Sequence, residues 1–315
     1  MDNPEINQPT WNEPFFKERT NGKCLSVSIS FIANRFLKII QLALPVLLVT
    51  STLLSLLMFL FCNPEKETMC GSSLYLKIVV AVILSLVFAL LVAFTYRCVD
   101  ISIEEFDIYS IKYKYLYNSF FKKYVLESFL VFLLFSIFTT VCFLLPDCCN
   151  NIIDHLRENG HLDSDNGIVP LLMYGIPLII FILIIIPLPM VLNVVLIEKN
   201  TFFHDIKKGY LYGWKKWGRI FALVLMVGSI AALICLIVLA PAYVIFLMQH
   251  AESLSKMQGD TVNMPSFMPI VNVAIMFISS FVISIISIAV ILPFAFLYAA
   301  TKTAESNEKS LTGKS

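Results

Sequence analysis

Residues 220–248 read IFALVLMVGSIAALICLIVLAPAYVIFLM, twenty-nine consecutive positions without a charge. As a helix rising about 1.5 Å per residue, this stretch exceeds the roughly 30 Å of hydrocarbon in a bilayer. A helix that is apolar on every side has no polar face to turn to water, so lipid is its natural surrounding. Five further stretches are long and apolar enough to cross: approximately Ile39 to Phe61, Leu74 to Tyr96, Val125 to Leu145, Ile168 to Ile197 and Met268 to Ala300. Lys77 and Glu127 lie close enough to the ends of theirs to reach water. The whole 315-residue chain agrees with this reading, being 58% hydrophobic and 14% charged, with a mean hydropathy of +0.81. The expected fold class is therefore an all-α integral membrane protein of six transmembrane helices.

Charge placement predicts orientation, because cytoplasmic loops retain Lys and Arg. With the N terminus inside, nineteen of the 23 basic residues fall on the cytosolic side, and only Lys66, Lys77, Arg157 and Lys256 lie outside. Both termini are expected inside, with outer loops of roughly 12, 22 and 19 residues. Residues 1–23 carry Pro4, Pro9 and Pro14 and read as a flexible cytosolic tail without a cleaved signal peptide. Residues 24–301 form the six-helix domain, and 302–315 a second cytosolic tail. The last three spans contain prolines (Pro170, Pro177, Pro187, Pro189, Pro241, Pro293), which predicts tilts or kinks.

Each outgoing span is preceded by a segment that is amphipathic if helical. Leu25, Ile29, Ile32 and Phe36 recur at offsets of four, seven and eleven; Tyr109, Tyr113, Leu116 and Phe120 repeat those offsets. Phe203, Ile206, Tyr210 and Trp214 give nearly the same stripe, continued by Trp217. Lys122, Lys123, Lys207, Lys208, Lys215 and Lys216 supply basic neighbours, a combination suited to the headgroup layer. The expectation is three cytosolic interfacial helices, before spans one, three and five. The echo of Tyr115-Leu116-Tyr117-Asn118 in Tyr210-Leu211-Tyr212-Gly213 suggests parallel units over 24–96, 104–197 and 201–301.

Three runs carry a resemblance: Val194-Val195-Leu196-Ile197-Glu198-Lys199-Asn200, Ile206-Lys207-Lys208-Gly209-Tyr210, and Trp214-Lys215-Lys216-Trp217-Gly218-Arg219-Ile220. Their order resembles a pattern in bacterial six-helix proteins similar to the membrane domain attached to some glycerophosphodiester phosphodiesterases. The resemblance implies a bacterial inner-membrane location. It implies no catalytic residues, since the hydrolase activity of that group belongs to a separate soluble domain.

The longest outer loop holds Cys148, Cys149, His155 and His161 among several aspartates, the ligand types of a zinc or copper site without the spacing of one. A solvated acidic loop is the competing reading. Cys62 and Cys70 could close the first outer loop as a disulfide on an oxidising side. Within the spans, Asn193, Asn272 and serines such as Ser279, Ser280, Ser284 and Ser287 replace the ionisable residues that a proton relay or ion path would use. Hydrogen-bonded helix contacts are their expected role. No catalytic or cofactor motif stands out, and a net charge of +1 gives no basic field for nucleic acid.

The function classes left open are a non-enzymatic protein of membrane organisation, sensing or immunity, a transporter of a small solute or lipid, and an enzyme acting on lipid headgroups. The partners expected are the lipid bilayer and a membrane or toxin protein.

Overall fold

The computed structural model describes residues 15–61, 74–105, 116–117, 120–138, 175, 179–198, 201–257, 265 and 267–312. Helix α1 spans Asn21–Phe61 and α2 Leu74–Glu105. A π-helical turn, Phe120–Val125, runs into α3, described over 126–138. Helix α4 covers 179–185 and, after a turn at 186–187, continues as α5, Leu188–Glu198. Then come α6, Phe202–Lys215, α7, Trp217–Met257, and α8, Met268–Thr312. The described residues contain no strand.

Five of these helical stretches are long and apolar enough to cross a membrane: Asn21–Met58, Ile78–Ile101, Ile179–Glu198, Trp217–Glu252 and Ile270–Glu308. Their outward faces stay apolar. Leu233, Leu236 and Ile237 of α7 are 64%, 68% and 75% exposed, and Ile270 and Ile278 of α8 are 75% and 62% exposed. Such continuous bare apolar faces are untenable in water and ordinary in lipid. The protein is an all-α, multi-pass membrane protein.

The predicted third span is helical across its described part. Phe88 and Phe132 pack with ring centroids 5.9 Å apart, Ser85 Oγ donates to the Phe132 carbonyl at 3.4 Å, and the Tyr124 hydroxyl donates to Asp100. These pairings run α3 antiparallel to α2. On its other side Phe135 meets Phe181 of α4, centroids 5.9 Å apart. Helix α8 packs most extensively on α1, where Thr50 Oγ1 meets Ser284 Oγ at 3.2 Å inside the bundle. Ser279 Oγ donates to the Val238 carbonyl of α7 at 3.1 Å and Ser280 Oγ to Met58 Sδ of α1 at 3.6 Å, so three of the four predicted serines do bond between helices.

Both described chain ends sit at one end of the bundle. Asn21 Nδ2 donates to the Arg219 carbonyl at 2.9 Å, and Asn307 Nδ2 to Glu18 Oε1 at 2.9 Å.

Ahead of the apolar runs of α1, α3 and α7 the helix breaks its regularity at a basic-aromatic step. Arg35, before Phe36, has φ −125° and ψ 16°, and Lys216, before Trp217, has φ −110° and ψ 20°. At Lys123-Tyr124 the irregularity is the π-turn. A defect at this point re-aims the helix axis, which a chain passing from the plane of a surface into a span requires.

Of the predicted apolar stripes, the described part of the second packs, with Leu116 and Phe120 buried in the core, whereas the first and third are not the main packing faces. Helix α1 buries Cys24, Ser28 and Phe31, one position ahead of the stripe, while Ile29 is 56% and Phe36 43% exposed. Helix α6 fully buries Asp205, Gly209 and Gly213, packs Ile206 and Tyr210 only partly against the core, and turns Phe203 and Trp214 outward. Small residues let helix backbones approach, so they take the contact and the large apolar residues turn outward. At Gly209 an added Cβ would stand 2.7 Å from Val191 Cα, and at Gly213 2.8 Å from Pro187 Cβ.

Candidate functional site

The α5–α6 hairpin assembles a polar cleft against the end of α8. Glu198 closes α5 at the point where the apolar run stops, and the close approach at Gly209 and Gly213 lays α6 beside it. Glu198 Oε1 accepts from Tyr298 Oη at 2.6 Å and Lys302 Nζ at 3.0 Å, while its Oε2 pairs with Lys208. One turn further along α8, Glu305 Oε1 faces Lys215 Nζ at 3.5 Å and Lys216 Nζ at 3.7 Å. The cleft between them has a volume of about 280 Å³ and is completed by Val194, Tyr212 and Ser306.

Two buried polar atoms here, Tyr212 Oη and Glu305 Oε1, make no hydrogen bond. Leaving a buried hydroxyl such as that of Tyr212 unsatisfied costs about 1–3 kcal/mol, whereas Glu305 keeps its two lysine ion pairs. Burial pushes the Tyr212 phenol up to about 12, against an opposing pull from the Thr301 hydroxyl. Thr301 Oγ1 hydrogen-bonds the Leu297 and Tyr298 carbonyls at 3.0 and 2.9 Å, and no bond of good geometry joins it to Tyr212.

The outer side of α6 is different in kind. Phe203 is 79%, Leu211 61% and Trp214 41% exposed, with Lys207 exposed between them and Lys215 bare along its edge. Tyr210 and Trp214 pack edge-on at 6.3 Å. The helix thus has one face of small residues against α5, one of aromatics and one of lysines.

At the same end of the bundle a smaller knot ties α2 to the π-turn. Arg97 reaches Asp100 at 3.6 Å and lies 5.5 Å over the Tyr124 ring, and Lys123 lies 5.3 Å from it. Burial and the hydrogen bond to Asp100 both raise the Tyr124 phenol.

An apolar cavity of about 340 Å³ lies inside the bundle beside the α4–α5 turn, walled by Ile185, Ile186, Pro189, Phe132, Cys235 and Phe294 among others. A neighbouring cavity shares Phe88, Phe132, Ile185 and Leu188. Asn193, fully buried nearby on α5, donates through Nδ2 to the Pro189 carbonyl at 2.6 Å and the Phe294 carbonyl at 3.3 Å, leaving Oδ1 without a partner. Asn272 is also buried with Oδ1 unpartnered.

Of the residues singled out from the sequence, Lys208 lines the cleft, and Lys215 and Lys216 pair with its Glu305 from outside the lining. Phe120 is buried against Tyr117, Trp217 stacks on Phe221 at 5.1 Å, and Phe36 sits at the α1 kink. Tyr109, Tyr113, Cys62, Cys70, Cys148, Cys149, His155 and His161 lie outside the described residues, as does the side chain of Lys122. Among the described residues, no three His, Cys, Asp or Glu come together as a metal site would require. Glu198, Tyr212, Tyr298, Lys302 and Glu305 were not singled out. A signal for them existed in the Asp205-Gly209-Gly213 spacing, which marks the face that brings α6 onto α5.

Fold and site together define the class, an all-α polytopic membrane protein with a charged cleft at one end of its bundle. Comparison with protein-family models, with curated proteins and with solved structures finds no match.

Proposed function

We propose that this is a non-enzymatic protein of a cell membrane, six-spanning with both termini cytosolic, that holds α6 on the anionic cytosolic leaflet. It serves membrane organisation, sensing or protection, including immunity toward a membrane-acting toxin. The observation that carries this is the three-sided build of α6: locked to α5 by Gly209 and Gly213, it presents Phe203, Leu211 and Trp214 beside Lys207 and Lys215. Aromatic bodies with lysines at their edge bind the acyl and headgroup boundary of anionic lipid. The sameness of the three junctions at Arg35, Lys123 and Lys216 supports three parallel units. The helix, turn, basic-aromatic helix and span order over 194–220 supports kinship with the six-helix membrane domains named above, and with it a bacterial inner-membrane location.

The test uses Trp214 as the sole tryptophan, with Trp11 and Trp217 replaced by Phe, in nanodiscs containing brominated lipids. Quenching by bromines near the headgroup is expected. Emission quenched only by aqueous iodide would refute membrane contact by α6.

A second reading, transport of an apolar solute or lipid, is favoured by the broken fourth span and the cavity beside it. Liposome flux of a labelled lipid, lost on Asn193→Ala, would support it; absent flux in the wild type would remove it.

A further inference from the structure

We propose that the cleft between α6 and α8 is a binding site for an anionic phospholipid headgroup that carries both a phosphate and a hydrogen-bond donor. The inference rests on the membrane contact of α6 and adds the ligand of the adjacent site. Depth is the first argument. The walls run from Tyr298 to Glu305, seven residues or about 10 Å of helix rise. One leaflet's polar layer, half of the roughly 10–15 Å by which a bilayer exceeds its hydrocarbon core, fits within that length.

Charge is the second argument. Lys208 and Lys302 line the cleft with Glu198 and Glu305, and Lys215 and Lys216, reaching Glu305 from outside the lining, tip the local balance to positive. Lys208 and Lys302 are 49% and 45% exposed, so their ammonium groups keep donors free beyond those given to Glu198. A phosphate entering from the membrane side would meet both, and charge-assisted bonds of this kind are the strong ones.

The third argument is a pair of buried polar atoms that make no hydrogen bond. Tyr212 Oη can donate to a phosphate oxygen. Glu305 Oε1, ion-paired with Lys215 and Lys216 at 3.5 and 3.7 Å but without a hydrogen bond, can accept an N–H or O–H from the ligand. Phosphatidylglycerol offers a net negative charge, a phosphate and hydroxyl donors. Phosphatidylcholine has the phosphate but no donor and no net charge.

The full chain, purified in detergent from nanodiscs holding equal phosphatidylglycerol and phosphatidylcholine, is weighed intact by native mass spectrometry and its retained lipids counted. Wild type should retain phosphatidylglycerol over phosphatidylcholine by about tenfold. Tyr212→Phe, which removes only an unsatisfied hydroxyl and so leaves the fold intact, should cut that ratio several-fold, as should Glu305→Gln. Ser229→Ala, on α7 away from the cleft, should keep it. Equal retention in wild type, or an unchanged ratio in both cleft variants, overturns the proposal. Inorganic phosphate that displaces the lipid at millimolar concentration also overturns it, in favour of a soluble-phosphate site. Trp214 quenching by lipid with no lipid preference would sink this inference alone; loss of quenching sinks the membrane contact beneath it.

Discussion

Gly209→Ala isolates the contact on which the whole charged end of the bundle depends. The new Cβ would lie 2.7 Å from Val191 Cα and 3.2 Å from the Met190 carbonyl oxygen. Carbon atoms in favourable contact stand about 3.5–4.0 Å apart, so the shortfall is roughly 1 Å. The obstructing atoms are backbone, so no side-chain rotation relieves them; α6 must move off α5, and Lys208 moves away from Glu198 with it. Overpacking of this kind costs about 1–3 kcal/mol, while Ala in place of Gly inside a helix returns up to about 1 kcal/mol. The net expectation is a loss of about 0–3 kcal/mol. Gly228→Ala supplies the reference, since a Cβ there meets nothing within 4 Å and only the propensity gain of up to about 1 kcal/mol remains. Unfolding of both variants in mixed micelles, followed by tryptophan fluorescence, should separate them by roughly 1–3 kcal/mol with Gly209→Ala the weaker. A Gly209→Ala protein as stable as Gly228→Ala would refute the close approach of α5 and α6.

Glu198→Gln should lower stability by about 1–3 kcal/mol, because three donors lose a charged acceptor, whereas Lys302→Met, at a half-exposed partner, should cost no more than about 1 kcal/mol; the same titration measures both. Asn193→Ala should destabilise by about 0.6–2 kcal/mol through loss of its bond to the Phe294 carbonyl on α8, again read by unfolding. The Tyr212 phenol has its folded pKa raised from 10.0 to about 12. The folded state therefore holds that proton more tightly, and the stability it contributes is complete below pH 10 and lost as pH climbs toward 12. Unfolding midpoints across that window should fall more steeply for wild type than for Tyr212→Phe, and parallel slopes would count against the burial of this hydroxyl.

The membrane class was legible from hydropathy alone, because a span must be apolar all round and runs such as 220–248 have no other reading. The segment ahead of the last two spans was also legible: Lys207-Lys208 and Trp214-Lys215-Lys216-Trp217 do form a separate helix ending in a break. Its packing face was not. Periodicity search weights large apolar residues, and in a membrane those face lipid, while Asp205, Gly209 and Gly213 score as polar or neutral yet make the contact. The cleft was hidden for a related reason. Glu198 and Lys302 are 104 residues apart in sequence and read separately as ordinary span-end charges; only the parallel packing of α5 and α8 makes them partners. Asn193 was legible as a polar residue inside a span, and its role as a donor across to α8 required the fold.

The central claim is that α6 and its cleft face the cytosol on a protein with both ends inside. Intact cells treated with a membrane-impermeant lysine reagent, then digested and analysed by peptide mass spectrometry, test it directly. Lys66 in the first outer loop should be modified in intact cells, and Lys207, Lys215 and Lys309 only after the membrane is opened. Modification of Lys207 and Lys215 in sealed cells, with Lys66 protected, would contradict the account.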